Sequence, residues 1–254
     1  MKAIITGASS GIGKEFALEL AKQGFDLIIT ARRQDRLEEL KKQLEKKYHI
    51  QVTVRVADLS IPEEAIAFAD EVMAEPIEIL INNAGFGKVG DFHETDLMEE
   101  LSMIQTNIAA LHILSKKFIL TQNRGYILNM SSIAGHVPSP GFATYGASKA
   151  YVLSLSQALA HELEVAGSKI SVTAYCPGPV RTEFFDVAGT NNKMPTISAK
   201  HCAKAGLFAM FNRKSVAFSD LSTNLLHKGI RLLPTKIATA LDYKIQKEKY
   251  NAPD

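Results

Sequence analysis

The feature that most constrains the fold is an alternation of short apolar runs with stretches of helical period, beginning at the amino terminus. "KAIIT" (Lys2 to Thr6) has the composition of a buried strand, and "IGKEFALELAKQG" places Phe16, Ala17 and Leu20 on one helical face before stopping at Gly24. "DLIIT" then reads as a second strand, completing a βαβ unit. "QDRLEELKKQLEKKY" sets Leu37, Leu40 and Leu44 at helical spacing, and "QVTVRVAD" alternates Val52, Val54 and Val56 as a strand does. Ser60 and Glu63 predict a capping box ahead of Ala65, Ile66 and Phe68, with Pro62 tolerated in the first turn. Further strands are expected at "IEILINNAG", "GYILNM", "KISVTAYC" and "KSVAFSD". Strands that alternate with helices form a parallel sheet covered on both faces, so the expectation is an α/β, three-layer, doubly wound sheet of about seven strands. Its ligands belong at the carboxyl ends of the strands.

No linker, repeat or low-complexity tract interrupts this series. Residues 1–220 are expected to form the main α/β unit, with 221–254 a helical tail of the same domain. With 46% apolar and 22% charged residues the chain has an ordinary globular composition, and a net charge of +2 is too small to argue for nucleic acid as a partner. Cys176 and Cys202 belong to no CxxC or Cys/His cluster, so two reduced thiols and no metal site are expected. No run approaches the ~18 apolar residues of a membrane span and no signal-peptide segment is visible, which predicts a cytoplasmic protein.

The turn between the first strand and the first helix reads "TGASSGIG", with Gly7, Gly11 and Gly13 spaced as TGxxxGxG. At such a junction one glycine permits the tight turn, another admits a pyrophosphate, and a third lets helix pack on strand. The amides at the helix start then face the phosphates, which makes Gly7, Ser9, Ser10, Gly11, Ile12 and Gly13 candidate cofactor contacts. At the end of the second strand, "IITARRQDR" has Ala31 where an NAD enzyme carries an acid for the ribose 2′-hydroxyl, followed by Arg32 and Arg33. Paired guanidinium groups suit a 2′-phosphate, so the expected cofactor is NADP. The bland alternative is that both arginines are merely solvated.

Several motifs carry a resemblance. "TGASSGIG", Asp58 in "ADLS", "NNAG" at Asn82 to Gly85, Asn107, Ser132, "YGASK" at Tyr145 to Lys149, and "PGPVRT" at Pro177 to Thr182 together resemble the short-chain dehydrogenase/reductase family in its compact single-domain branch. The resemblance runs from Lys2 to about Asp220. It implies a Rossmann-type fold and a nicotinamide-dependent oxidoreductase. It also implies cofactor contacts at Asp58 and Leu59 near adenine, at Asn83, Ala84 and Gly85, and at Pro177, Gly178, Val180 and Thr182. By the same resemblance Lys149 binds the nicotinamide ribose and Asn107 holds a water in a proton relay.

The residues suggest the chemistry independently. Tyr145 and Lys149 lie four apart, on one face of a helix. A tyrosine with a pKa of ~10 is a poor acid or base near neutrality, but an adjacent ammonium favours the phenolate and brings the pKa down. Ser132, thirteen residues before Tyr145 and preferred over Ser131 by spacing, can hydrogen-bond a substrate oxygen as charge builds there. The ordinary account of such a Tyr/Lys pair is a surface contact, Asn107 could cap a helix, and Ser132 could be a strand-end turn. Their joint occurrence behind a phosphate-binding turn favours catalysis. His93, His136 and His161 are given no role.

The substrate wall is expected from "IAGHV", Phe142 and the long loop after Thr182 with Phe184, Phe185 and Met194, which favours a lipophilic carbonyl or alcohol. An NAD-linked alcohol dehydrogenase and a sensor or scaffold without turnover are the alternatives; an extended-branch epimerase or dehydratase would need a longer chain. A homodimer or homotetramer is expected through the helices around Asn107 to Phe118 and Tyr145 to Glu164, where Ala150, Leu153, Ala158 and Ala160 offer small apolar surface. In the tail, Leu221, Leu225, Gly229 and Leu233, and after Pro234 the set Ile237, Leu241 and Ile245, read as two amphipathic helices. Their other faces carry Lys228, Arg231, Lys236, Lys244 and Lys247. The favoured account packs the apolar faces on the protein itself; the sharper one gives the tail to a lipid-like substrate or a membrane surface.

Overall fold

The computed structural model describes residues 1–190, 195–220, 223–225, 229 and 232–250, the last six for their backbone alone. The first half runs β1 (Lys2–Thr6), α1 (Gly11–Lys22), β2 (Asp26–Ala31), α2 (Gln34–Tyr48), β3 (Val52–Val56), α3 (Pro62–Val72), β4 (Ile79–Asn82), α4 (Leu97–Ile104), a π-helical turn (Gln105–Ala110) and α5 (Leu111–Thr121). The second half runs β5 (Arg124–Met130), a 3-10 turn (Ile133–His136), α6 (Ala143–Val165), β6 (Lys169–Cys176), β7 (Val180–Arg181), α7 (Phe184–Ala188), β8 (Ile197–Ser198), α8 (Ala199–Phe211), β9 (Val216–Phe218) and α9 (Thr235–Tyr250).

Seven strands form one parallel sheet in the order β3-β2-β1-β4-β5-β6-β9, and β7 pairs separately with β8. Because successive side chains of a strand point to opposite faces, Ile5, Ile29 and Ile81 pack under α1, α2 and α8 with Phe16, Leu37 and Met210, whereas Ile4, Ile28 and Leu80 pack under α3 and α5 with Phe68 and Phe118. Each fully buried Phe or Leu contributes on the order of 1.5–3 kcal/mol, so the two apolar layers hold the sheet rigid. The strand order reverses between β1 and β4, which opens a crevice at their carboxyl ends.

All seven expected strands are present, but three local expectations fail. No capping box forms: Ile61 stands before α3, and the Ser60 hydroxyl donates instead to Asp58 Oδ1 at 2.7 Å. The carboxylate two residues back is the stronger acceptor, and Pro62 at the first helical position still starts the helix. On α6, Ala150 and Ala158 are exposed, yet Leu153 packs on Ala174 and Cys176 of the sheet and Ala160 joins the α3–α5 layer. In the tail, α9 does begin after Pro234, but Ile237 and Leu241 are half exposed and only Ala238 is buried, because both sheet faces are already covered. Leu225 and Leu233 are exposed as well. Met194, Leu221, Lys228, Arg231 and the side chains of Ile245 and Lys247 lie outside the described residues. Among the described residues no helix is long and apolar enough to cross a membrane.

Candidate active site

The glycine turn does three separate jobs. Gly7 takes φ +67° as the chain leaves β1, and Gly11 takes φ +54° at the start of α1, a backbone region that side chains disfavour. Gly13 serves packing alone, since a Cβ there would lie 2.2 Å from the Gly7 carbonyl oxygen. Ser10, just before α1, makes no side-chain cap, and the first turn of the helix carries no acid. Its amides are therefore available to an anion, and the residues fit a pyrophosphate.

A cavity of about 500 Å³ begins at this turn and runs along the carboxyl ends of the strands. Gly7, Ser9, Ser10, Gly11 and Ile12 line it at one end, followed by Arg32, Arg33, Asp58, Leu59, Asn83, Ala84 and Gly85. Ser132, Tyr145, Lys149, Pro177, Gly178, Val180 and Thr182 line the remainder. Every expected site residue except Gly13 and Asn107 thus faces one space.

Thr6, which the sequence did not single out, fixes the switch point. Its hydroxyl accepts from the amides of Asn83 at 3.0 Å and Ala84 at 2.9 Å, and Asn83 Nδ2 donates back to the Thr6 carbonyl at 3.0 Å. Behind it, Asn82 Nδ2 donates to Asn129 Oδ1 at 2.8 Å and Asn129 Nδ2 donates to Ser156 at 2.9 Å, a buried chain of polar contacts that ties β4 and β5 to α6.

Asn107 sits within the π-helical turn and is buried. Its side chain clamps Phe86, accepting from the amide at 3.1 Å and donating to the carbonyl at 2.9 Å, with a further bond to Ser148 at 3.1 Å. Both Nδ2 hydrogens are thereby used within the protein, and a water could approach the side chain only as a donor to Oδ1.

Tyr145 is buried against the aromatic rings of Phe142, stacked at 4.3 Å, and Phe184, tilted at 5.3 Å. Burial pushes its pKa up to about 12, and a hydrogen bond with Ser132 opposes the rise. Ser132 also accepts from the Ala134 amide at 3.2 Å, which fixes the side chain at the end of β5. Lys149 donates to the Met130 carbonyl at 2.8 Å, and burial lowers its pKa to about 8. The expected depression of the tyrosine pKa by the ammonium is therefore not found: removal from water dominates, and the ammonium is turned to the Met130 carbonyl.

The two arginines differ in their surroundings. Arg33 donates to Ser9 Oγ at 3.2 and 3.1 Å, to Ser10 Oγ at 2.7 Å and to Glu183 at 2.8 Å. Arg36 donates to the other oxygen of Glu183 at 2.6 Å. These two guanidinium groups hold the Glu183 carboxyl down at about 2. Arg32 is exposed and, among the described residues, makes no hydrogen bond or ion pair, so only one of the two expected phosphate ligands is free. Glu183 was legible only as the first residue of a long loop; nothing at local spacing pairs it with Arg33, 150 residues away.

A sequence model of the short chain dehydrogenase family matches residues 1–193. The chain belongs to that family. As a short-chain dehydrogenase it is an oxidoreductase. It is 32% identical over 251 residues to an NADP-dependent 3-hydroxy acid dehydrogenase of Schizosaccharomyces pombe, covering 89% of this chain and 93% of that one. To a very-long-chain 3-oxoacyl-CoA reductase of Vanderwaltozyma polyspora it is 39% identical over 175 residues, 63% of this chain and only 50% of the relative. A short-chain dehydrogenase from Sphingobium yanoikuyae in complex with NADPH superposes with a TM-score of 0.81 at 32% identity, over 91% of this chain and 95% of that one. A member from Burkholderia phymatum in complex with NAD superposes with a TM-score of 0.79 at 25% identity, over 91% and 94%.

Proposed function

We propose that this short-chain dehydrogenase interconverts a bulky, apolar ketone and its secondary alcohol with NADP(H). The observation that carries the reading is the single cavity that joins the glycine turn to the Tyr145 and Ser132 hydroxyls and continues between Phe142, Phe184 and Phe185. A bound nicotinamide supplies or accepts the hydride. Tyr145, protonated at any ordinary pH, gives its proton to the carbonyl oxygen in the reductive direction. Ser132 steadies the same oxygen by hydrogen bonding, and Lys149 holds the wall behind it at Met130. The aromatic wall excludes water and offers an apolar substrate contact area without a charge to desolvate.

Arg32 supports the 2′-phosphate, as does the absence of an acid at Ala31. The second reading, NAD, is favoured by one observation: Arg33 is already engaged by Glu183. The test is NADPH and NADH oxidation with aryl ketones, 3-oxoacyl thioesters and small ketones. Turnover with NADPH on bulky apolar ketones is expected, and turnover confined to small polar carbonyls overturns the substrate class. We further propose self-association through α4, where Leu97, Met98, Leu101 and Ile104 form an exposed stripe.

A further inference from the structure

Glu183 comes from the wall opposite the glycine turn, at the residue before α7, and lines the same cavity as Arg33. All three guanidinium nitrogens of Arg33 already donate, two of them to Ser9 and Ser10 within the turn and Nη1 to Glu183. The serine contacts hold the guanidinium against the cavity and leave the Glu183 contact as the one that an incoming anion would replace. Arg36 lines no part of the cavity, yet it binds the second oxygen of the same carboxylate. A carboxylate released by Arg33 therefore keeps a counter-charge, which lowers the cost of the exchange.

We propose that Glu183 determines cofactor specificity by competing with the 2′-phosphate of NADP(H) for Arg33, so that the protein separates NADPH from NADH less sharply than its arginines allow. The proposal rests on the NADP reading above and adds a residue that works against it. A carboxylate and a phosphate monoester both accept charge-assisted hydrogen bonds from a guanidinium, so one can stand in for the other. NADH, which lacks the phosphate, leaves the Arg33–Glu183 pair intact.

Calorimetric binding of 2′,5′-ADP and 5′-AMP to the full chain tests this without turnover, because the two probes differ only in the 2′-phosphate. Glu183→Gln should bind 2′,5′-ADP about three- to fivefold more tightly, the scale of an exposed ion pair, and 5′-AMP unchanged. In the Arg33→Ala background the same substitution should have no effect on either probe. Unchanged or weaker 2′,5′-ADP binding by Glu183→Gln overturns the competition, as does a gain that persists without Arg33 or that appears equally for 5′-AMP. Failure of the NADP reading looks different: the parent protein would then bind 2′,5′-ADP no better than 5′-AMP.

Discussion

The Lys149 ammonium stands 5.6 Å from the centroid of the Tyr145 ring and is hydrogen-bonded to the Met130 carbonyl, not to the tyrosine hydroxyl. Ser132 is the group that favours ionisation of that hydroxyl, against its burial. Tyr145→Phe should therefore lose ~100- to 10,000-fold in kcat, the range for a positioned proton donor, while its affinity for NADPH stays within twofold of the parent. Ser132→Ala should lose ~100- to 1,000-fold, as for one oxyanion donor. Single-turnover kinetics with cofactor titration separates the two steps, and full turnover by Tyr145→Phe would falsify the assignment.

Burial of Lys149 has a consequence for stability. Its folded pKa of about 8 lies below the 10.5 of a free lysine, so between those values the unfolded chain binds more protons than the folded one. Stability then rises with pH through this window, as the cost of burying the charge is relieved. Relative to Lys149→Met, which has no proton to lose, the parent should gain on the order of 3 kcal/mol between pH 7 and pH 10.5, most of it above pH 8. Tyr145 works in the opposite sense only above pH 10, where its raised pKa makes the folded state retain a proton. Thermal melts of both cofactor-free proteins from pH 7 to 10 check the sign; a difference in Tm that does not move with pH rules it out.

Gly13 gives a steric prediction. An alanine methyl at that position meets the Gly7 carbonyl oxygen at 2.2 Å and Asn83 Nδ2 at 2.6 Å, and the first of these is backbone that cannot swing away. Gly13→Ala should cost about 3 kcal/mol or more, at the upper end for overpacking. Gly11→Ala meets only the Thr182 side chain, at 3.1 Å, but is strained at φ +54°, so about 1–2 kcal/mol is expected. Chemical denaturation of the two variants should preserve this order.

The layout of the sheet was legible because strand and helix periods differ, and the β1 turn was legible because its glycines have no other use. Tyr145, Ser132 and Lys149 meet in space because β5 and α6 follow one another in sequence, so their spacing carried the information. Glu183 and Arg33 meet only through the three-dimensional fold, 150 residues apart, and no local pattern encodes that. The pKa of Tyr145 departs from its local pattern for a related reason. Helical spacing shows that Tyr145 and Lys149 are neighbours, but not that both are buried, Tyr145 against Phe142 and Phe184, where the loss of water sets the pKa. Thr6 carries no local signal because a strand-end threonine is common, and its two amide partners, Asn83 and Ala84, come from the turn after β4.

On α4, Leu97, Met98, Leu101 and Ile104 recur at helical spacing and are 36–69% exposed, a stripe that one chain alone leaves in water. Light scattering at micromolar concentration should give at least a dimer, and Met98→Glu with Leu101→Glu should shift it toward the monomer without changing the far-ultraviolet circular dichroism. A monomeric parent protein would refute the assembly.

The tail supplies a last test. Thr223 and Asp242 line the cavity, and Thr223 Oγ1 would sit 2.8 Å from a Cβ at Gly178, so the tail closes against the site itself. Yet Ile237 and Leu241 on α9 stay half in water, and Ala238 is the one buried apolar side chain among its described residues. Little folding energy is then at stake in α9. Ending the chain after Pro234 should lower Tm by only a few degrees, since burying one alanine contributes at most ~1 kcal/mol, and should leave NADPH affinity unchanged. It removes the part of α9 that closes the cavity wall at Asp242 and opens that wall to water, so KM for ketones large enough to reach it should rise several-fold while that for small ketones does not. A truncated protein that unfolds or dissociates would assign α9 to the scaffold, and equal losses on large and small ketones would remove it from substrate recognition.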